Sequence, residues 1–269
     1  MEIAKHRFPF SSRGDSWKLV PLGDVHLGAK GCDERAFDAK VMEIAKDKRA
    51  LTLLMGDMCD CITPGDKRWD DRAVADWCYE PWARSNIAIA QRDRLVNSLQ
   101  HIPRERILGI ISGNHEATIR RYHSLDITLD IARTLGIKYL GEEAFVHLTF
   151  EWKGCARTFV IFATHGSGGG RKVGGKANKM TDIAAFVDAD ITCMGHHHDR
   201  LGVRTVRLGL DKNANFTHTE QVHVLTGSYL KTYQVGSPSY AARELYPPTA
   251  IGSPTVLIRP QDRHLEVRT

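Results

Sequence analysis

No run of about 18 uninterrupted apolar residues occurs in this 269-residue chain, so no membrane span is expected. The first ten residues mix Glu2, Lys5, His6 and Arg7 with apolar neighbours and hold no apolar core of signal-peptide length, so no export signal is read there. Six cysteines (Cys32, Cys59, Cys61, Cys78, Cys155, Cys193) form no CxxC pair. That pattern excludes a dense disulfide framework and points to reduced thiols in a cytoplasmic protein. Cys59 and Cys61 flank Asp60, where a ligand role competes with the plainer one of small buried hydrophobes. The chain also lacks an internal repeat, a domain linker, a P-loop and any coiled-coil or ATPase segment. An ATP-driven partner would therefore be a separate chain.

What is present is an ordinary globular composition, 42% hydrophobic and 26% charged. The length suits one large α/β domain, or one with a small appendage. An excess of 37 basic over 32 acidic residues gives +5, which permits an anionic partner. Nothing in the composition fixes the oligomeric state, and a homodimer is compatible with it.

The informative pattern is five apolar runs that each stop at a turn carrying oxygen or nitrogen ligands. Trp17-Lys18-Leu19-Val20-Pro21-Leu22 delivers Gly23-Asp24-Val25-His26, with Pro21 placing the strand near a sheet edge or its own end. A helix over about 34–47 follows, and then Leu51-Thr52-Leu53-Leu54-Met55 ends in Gly56-Asp57-Met58-Cys59-Asp60. Ile107-Leu108-Gly109-Ile110-Ile111 ends in Ser112-Gly113-Asn114-His115-Glu116, ahead of a helix over about 117–135. A hairpin, 145–151 with 157–163 about a turn at Lys153-Gly154, ends in Thr164-His165-Gly166. After a helix over about 181–187, Ile191-Thr192-Cys193-Met194 runs into Gly195-His196-His197-His198-Asp199. Alternate residues face opposite sides only while the chain is extended, so a turned loop can aim both His196 and His198 at one site.

Taken singly, each turn has a plain reading: an exposed Asp at a strand end, or a solvated histidine cluster. Chance hardly explains all five. In open α/β sheets the loops beyond the carboxyl ends of the strands converge, so these should meet. Seven ligands (Asp24, His26, Asp57, Asn114, His165, His196, His198) exceed the needs of one ion, and two ions can share them if one carboxylate bridges. Mixed nitrogen and oxygen ligation suits manganese, iron, zinc or nickel better than magnesium or calcium, with manganese favoured.

Three further stretches stand apart. Residues 62–106 interleave charge with Trp69, Trp77 and Trp82 and read as one or two amphipathic helices, broken near Pro81 and closed by Pro103. They are plain packing elements or a cap-like insertion beside the site. Residues 167–179 hold five glycines and four basic residues (Arg171, Lys172, Lys176, Lys179) in 13 positions, a flexible positive loop suited to gripping phosphate or nucleic acid. Strand candidates at 202–208, 220–225 and 255–258 follow, and a Tyr/Pro-rich extension covers about 226–269. Its tyrosines, Tyr229, Tyr233, Tyr240 and Tyr246, either pack or stack on bases.

The ordered set Asp24-Val25-His26, Gly56-Asp57-Met58-Cys59-Asp60, Gly113-Asn114-His115-Glu116, His165 and Gly195-His196-His197-His198 closely resembles the calcineurin-like metallophosphoesterase superfamily (DxH, GDxxD, GNH[ED], H, GHxH) over about residues 17–199. The resemblance implies a single domain over 1–269 folded as a four-layer α/β/β/α sandwich with two central mixed sheets. It implies two divalent ions, one held by Asp24, His26 and His198, the other by Asn114, His165 and His196, with Asp57 bridging. It makes His115 the group that protonates the leaving oxygen or stabilises the transition state, Asp60 the residue that orients it, and His197 a bystander. Such a site hydrolyses phosphoesters. The arginines with which phosphoprotein phosphatases of this superfamily grip a monoester are absent, since Cys61-Ile62 follows Asp60 and Ser112 precedes Gly113. The motif style is nearer the DNA-repair exonuclease branch, although Glu116 stands where Asp is usual. The expectation is a phosphodiesterase acting on DNA or RNA. A phosphomonoesterase, or a nucleotide or lipid-precursor phosphodiesterase or pyrophosphatase, is the alternative. A non-catalytic scaffold on this fold would be expected to have lost ligands.

Overall fold

A computed structural model describes residues 1–236 and 239–269 of the chain. Ser237 and Pro238, within the Tyr/Pro-rich stretch, lie outside the described residues, as does the side chain of Tyr240. In chain order the elements begin with β1 (Glu2–Pro9), β2 (Trp17–Leu22), α1 (Glu34–Lys46), β3 (Ala50–Leu54), α2 (Pro81–Arg84), α3 (Ile87–Leu99) and β4 (Ile107–Ile110). Next come α4 (Asn114–His123), α5 (Ile127–Leu135), β5 (Glu143–Trp152), β6 (Cys155–Thr164), α6 (Val173–Phe186) and β7 (Ile191–Met194). The last are β8 (Arg200–Leu210), β9 (Phe216–Thr226), α7 (Tyr240–Arg243), β10 (Thr255–Arg259) and β11 (His264–Arg268).

The strands form two mixed sheets, five-stranded in the order β11-β10-β2-β3-β4 and six-stranded in the order β1-β5-β6-β7-β9-β8. Each has a parallel trio, β2-β3-β4 in one and β6-β7-β9 in the other. The sheets pack face to face through one apolar seam, in which Leu19, Leu51, Leu53 and Leu108 meet Val146, Phe159, Ile191 and Val222. Each fully buried Leu or Ile there contributes about 1.5–3 kcal/mol. On the outer face of the five-stranded sheet, Phe37, Ile44, Leu95 and Ile131 of α1, α3 and α5 cover Val20, Leu54 and Ile107. On the other outer face, Met180 of α6 packs on Met194 and Leu225. The result is the four-layer α/β/β/α sandwich with two mixed sheets. No helix among the described residues is long and apolar enough to cross a membrane.

Several boundaries differ from the sequence expectation. β2 is central, not an edge strand, with Pro21 next to its end as the other expectation had it, and the proline is accommodated by register. Lys18 donates its N–H toward β3, so Pro21 turns its nitrogen toward β10, whose pairing stops at Leu19. The single helix expected over 117–135 is two, because Ser124 turns left-handed (φ 53°) and Asp126 caps α5 by accepting from the Leu129 N–H at 2.9 Å. The flexible basic loop is largely helix: α6 starts at Val173 and carries Lys176 and Lys179. Its two glycines, Gly174 and Gly175, each cost about 1 kcal/mol relative to Ala. Tertiary contacts of Lys176 and Met180 offset that cost. β1 and β11 are strands the sequence reading leaves out. Only Ala4 of β1 is buried, so the strand shows little apolar signal.

Candidate metal centre

The ligand turns sit at the carboxyl ends of β2, β3, β4, β6 and β7, and the face-to-face sheets bring all five together. Of eleven non-glycine residues with positive φ among the described residues, five are Asp24, Asp57, His26, His196 and His198. A left-handed residue turns the chain sharply, which explains how Asp24 and His26, or His196 and His198, reach one site from a single loop. Glycine is required where these turns touch. A Cβ on Gly56 (φ +80°) would lie 2.5 Å from the Gly113 nitrogen, and one on Gly113 would lie 2.1 Å from Asp57 Oδ1.

Among the described residues, three sets of side chains could hold a cation: Asp24 with His26 and His198, Asp57 with His165 and His196, and His26 with Asp57 and His115, their ligand atoms within 4.8 Å of one another. His26 Nε2 lies 3.1 Å from His198 Nε2, and His198 Nε2 3.4 Å from Asp24 Oδ1. Asn114 Oδ1 lies 2.8 Å from His196 Nδ1 and 3.2 Å from His165 Nε2. Asp57 Oδ2 lies 3.2 Å from His165 Nε2 and 4.0 Å from His26 Nε2, so one carboxylate faces both groups. Its Oδ1 accepts from the His115 N–H at 2.9 Å, which orients it. Ligands about 2.0–2.2 Å from a common ion stand about 3–3.5 Å apart, so these spacings fit cations.

The protonation pattern agrees with that fit. His165 Nδ1 lies 2.8 Å from the Met55 carbonyl oxygen, while Nε2 faces two more oxygens, an arrangement only an imidazolium or a bound cation satisfies. Burial opposes a charged His165, yet Asp57 and then Asp24 raise its pKa to about 10. Burial also opposes ionisation of Asp57, but the surrounding imidazoles, His165 first, hold it well below the usual carboxylate range. Burial pushes His26 and His196 below 6.5, so both offer lone pairs at neutral pH.

His115 Nδ1 is hydrogen-bonded to the backbone carbonyl of Asp60. The carboxylate of Asp60 is farther, 3.6 Å from that nitrogen and 3.3 Å from His26 Nδ1. Asp60 thus meets His115 through its main-chain carbonyl, with its carboxylate farther off. Two neighbours escape the sequence reading. Glu116 is buried and accepts the backbone N–H groups of Asp57 (3.0 Å), Met58 (2.7 Å), Cys59 (3.1 Å) and Gly113 (3.1 Å), clamping two ligand turns together. Its position in GNH[ED] was the available signal. The other is Arg68, whose Nη1 donates to His115 Nε2 at 3.2 Å. No motif marks it.

The four basic candidates separate. Lys176 is buried, 2.5 Å from Asp199 Oδ2, and donates to the His197 carbonyl at 3.0 Å, so it holds the histidine loop instead of facing solvent. Lys179 donates to the carbonyls of Ser167 (3.4 Å) and Gly169 (2.9 Å). Arg171 lies 3.8 Å from Glu244 and over the Tyr246 ring, and Lys172 is exposed. His197 is buried, and its Nε2 has no hydrogen-bond partner among the described residues. Beside Asn114 and His165 opens a cleft of 730 Å³ whose walls include Glu142, Glu143, Asp182 and Phe186.

No protein-family model matches the chain. No curated protein matches it either. Among solved structures it is similar to a conserved uncharacterised protein of Streptococcus pneumoniae TIGR4, described as a predicted phosphoesterase, with 13% identity, a TM-score of 0.33, and 91% of this chain and 84% of that one covered. A likeness at that level carries no argument about activity, which has to come from the residues of the centre.

Proposed function

We propose that the chain is a metal-dependent phosphoester hydrolase that cleaves phosphodiesters, with nucleic acid as its substrate class. The observation that carries the reading is Asp57, one buried carboxylate oxygen shared between a His26 group and a His165/Asn114 group. Asp24, His26 and His198 would hold one divalent cation and Asn114, His165 and His196 the other, with Asp57 common to both and manganese the favoured metal. When bound, such a pair lowers the pKa of water and offsets charge on the phosphoryl oxygens. The chain's own residues do the rest. Met55 fixes the His165 ring through Nδ1, and Glu116 fixes the two turns that carry Asp57 and Asn114. His115, anchored at Nδ1, presents Nε2 to the leaving oxygen. Hydrolysis forms one P–O bond from water and breaks another; the water gives up a proton to solvent, and His115, once it has taken up a proton at Nε2, delivers it to the departing oxygen.

The surplus of +5 and the exposed Lys172 favour nucleic acid. A second reading, a small phosphodiester, is favoured by the cleft beside Asn114, where Glu142, Glu143 and Asp182 would repel a long polyanion. Both readings take 62–106 as a cap beside the site. The test compares p-nitrophenyl phosphate, its bis-ester and single-stranded DNA with manganese. Turnover of the bis-ester and DNA supports the nuclease, and the bis-ester without DNA supports the small substrate. Strong mono-ester turnover alone overturns both.

A further inference from the structure

Residues 62–106 reach the centre through Arg68. Its guanidinium is held by Asp66: Nε donates to the two carboxylate oxygens at 3.0 and 3.2 Å, and Nη2 to Oδ2 at 2.6 Å. Asp66 also accepts the backbone N–H of Arg68 at 2.8 Å. The pair is short-range in sequence and mostly shielded, with side chains 31% and 9% exposed, so the plane of the guanidinium is fixed. The third engaged nitrogen, Nη1, donates to His115 Nε2, which accepts because a guanidinium has no lone pair to offer. A guanidinium carries five N–H groups. Three are used here, and two are free among the described residues. Arg68 is also the one arginine among the described residues that hydrogen-bonds to a side chain of the centre.

We infer that Arg68 is the phosphate-binding residue of this centre, an inference that rests on the phosphoesterase reading. The neutral imidazole is a weak partner for a guanidinium, and an anionic phosphate oxygen is a stronger one. On entry of a phosphoester the guanidinium leaves His115 Nε2 for a non-bridging oxygen, while Asp66 keeps its direction. The exchange frees the Nε2 lone pair to take up a proton from solvent and pass it to the leaving oxygen, so one displacement readies both groups. A single guanidinium already paired with Asp66, with three N–H groups free once it leaves Nε2, brings hydrogen bonds without surplus charge, which suits the one negative charge of a phosphodiester better than the two of a monoester. The inserted segment thereby sets the substrate class as a diester.

The test uses the full chain loaded with manganese, as wild type, Arg68→Ala and Arg68→Lys. Inorganic phosphate binding is measured by calorimetry, bis-p-nitrophenyl phosphate turnover by absorbance, and metal content by elemental analysis. Arg68→Ala should keep its metal, bind phosphate at least about tenfold more weakly, and lose about 100-fold in turnover, mainly in kcat. Arg68→Lys should fall between, and added guanidinium ion should partly restore Arg68→Ala. Phosphate binding and turnover within twofold of wild type would overturn the inference, as would a loss that only tracks missing metal. If wild type hydrolyses no ester but its phosphate binding depends on Arg68, the phosphoesterase reading fails and the anion grip stands.

Discussion

Lys176 and Arg68 exchange the parts that their surroundings in the sequence suggest. Lys176 lies in the most basic, glycine-rich stretch of the chain, yet it is buried and committed to Asp199 and the His197 carbonyl. Arg68 lies in an unmarked stretch, yet its guanidinium reaches His115. The difference is set by the partner carboxylate. Asp199 belongs to the histidine loop itself, so its ion pair is a strut. Asp66 is two residues from Arg68, so its ion pair aims a group that still has donors to spare. Density of positive charge along a sequence says little about which cation meets an anion.

That contrast can be broken from the catalytic side first. His115→Ala should lower turnover by about 10²- to 10⁴-fold while both metals stay bound, since it removes a group facing the substrate. Elemental analysis showing metal loss would move His115 among the ligands. On the strut side, Lys176→Met leaves Asp199 and a buried carbonyl unpaired. It should cost about 3–5 kcal/mol in chemical denaturation, with activity falling only as metal is lost. Full stability in that variant would mean the histidine loop holds its shape alone.

A pH experiment sharpens the comparison, because in the metal-free protein a proton on His165 serves as the strut cation. Its pKa is raised from 6.5 to about 10, so its contribution to stability is complete below about 6.5 and is lost as pH rises through about 10. Metal-free protein should therefore weaken across that window in thermal melts, and the manganese-loaded protein should not. Identical alkaline profiles would count against a charged His165. The smallest effect is expected from replacing Arg171 and Lys172 with Ser. The slope of log DNA affinity against log salt should drop by no more than about 2. Adding Lys179→Ser should change it little further, because that amine is bonded to loop carbonyls.

How far the sequence carries depends on what a residue's role requires. The five turns were legible because a strand that ends in Asp, Asn or His imposes a local pattern, and parallel strands send their carboxyl ends one way, whereas the four-layer sandwich came only with the family resemblance that those turns carry. The backbone at Asp24, His26 and Asp57 was not, since a left-handed φ in a non-glycine residue leaves no mark in composition. Pro21 signalled the end of its strand but not that the strand is central, because its missing N–H matters only relative to where β10 stops pairing. Arg68 was invisible for a different reason: its contact spans 47 positions, and only the fold makes it. Glu116 was visible as a motif letter, but its grip on four N–H groups needs the turn of β3 beside that of β4.

Asp24, His26, Asp57 and Asn114 come from turns of the five-stranded sheet, and His165, His196 and His198 from turns of the six-stranded one. Any ion caged by either group is therefore a rivet through both halves of the sandwich. Stripping such ions with a chelator should loosen the seam between the sheets, so that protease resistance would report how fully the protein is loaded.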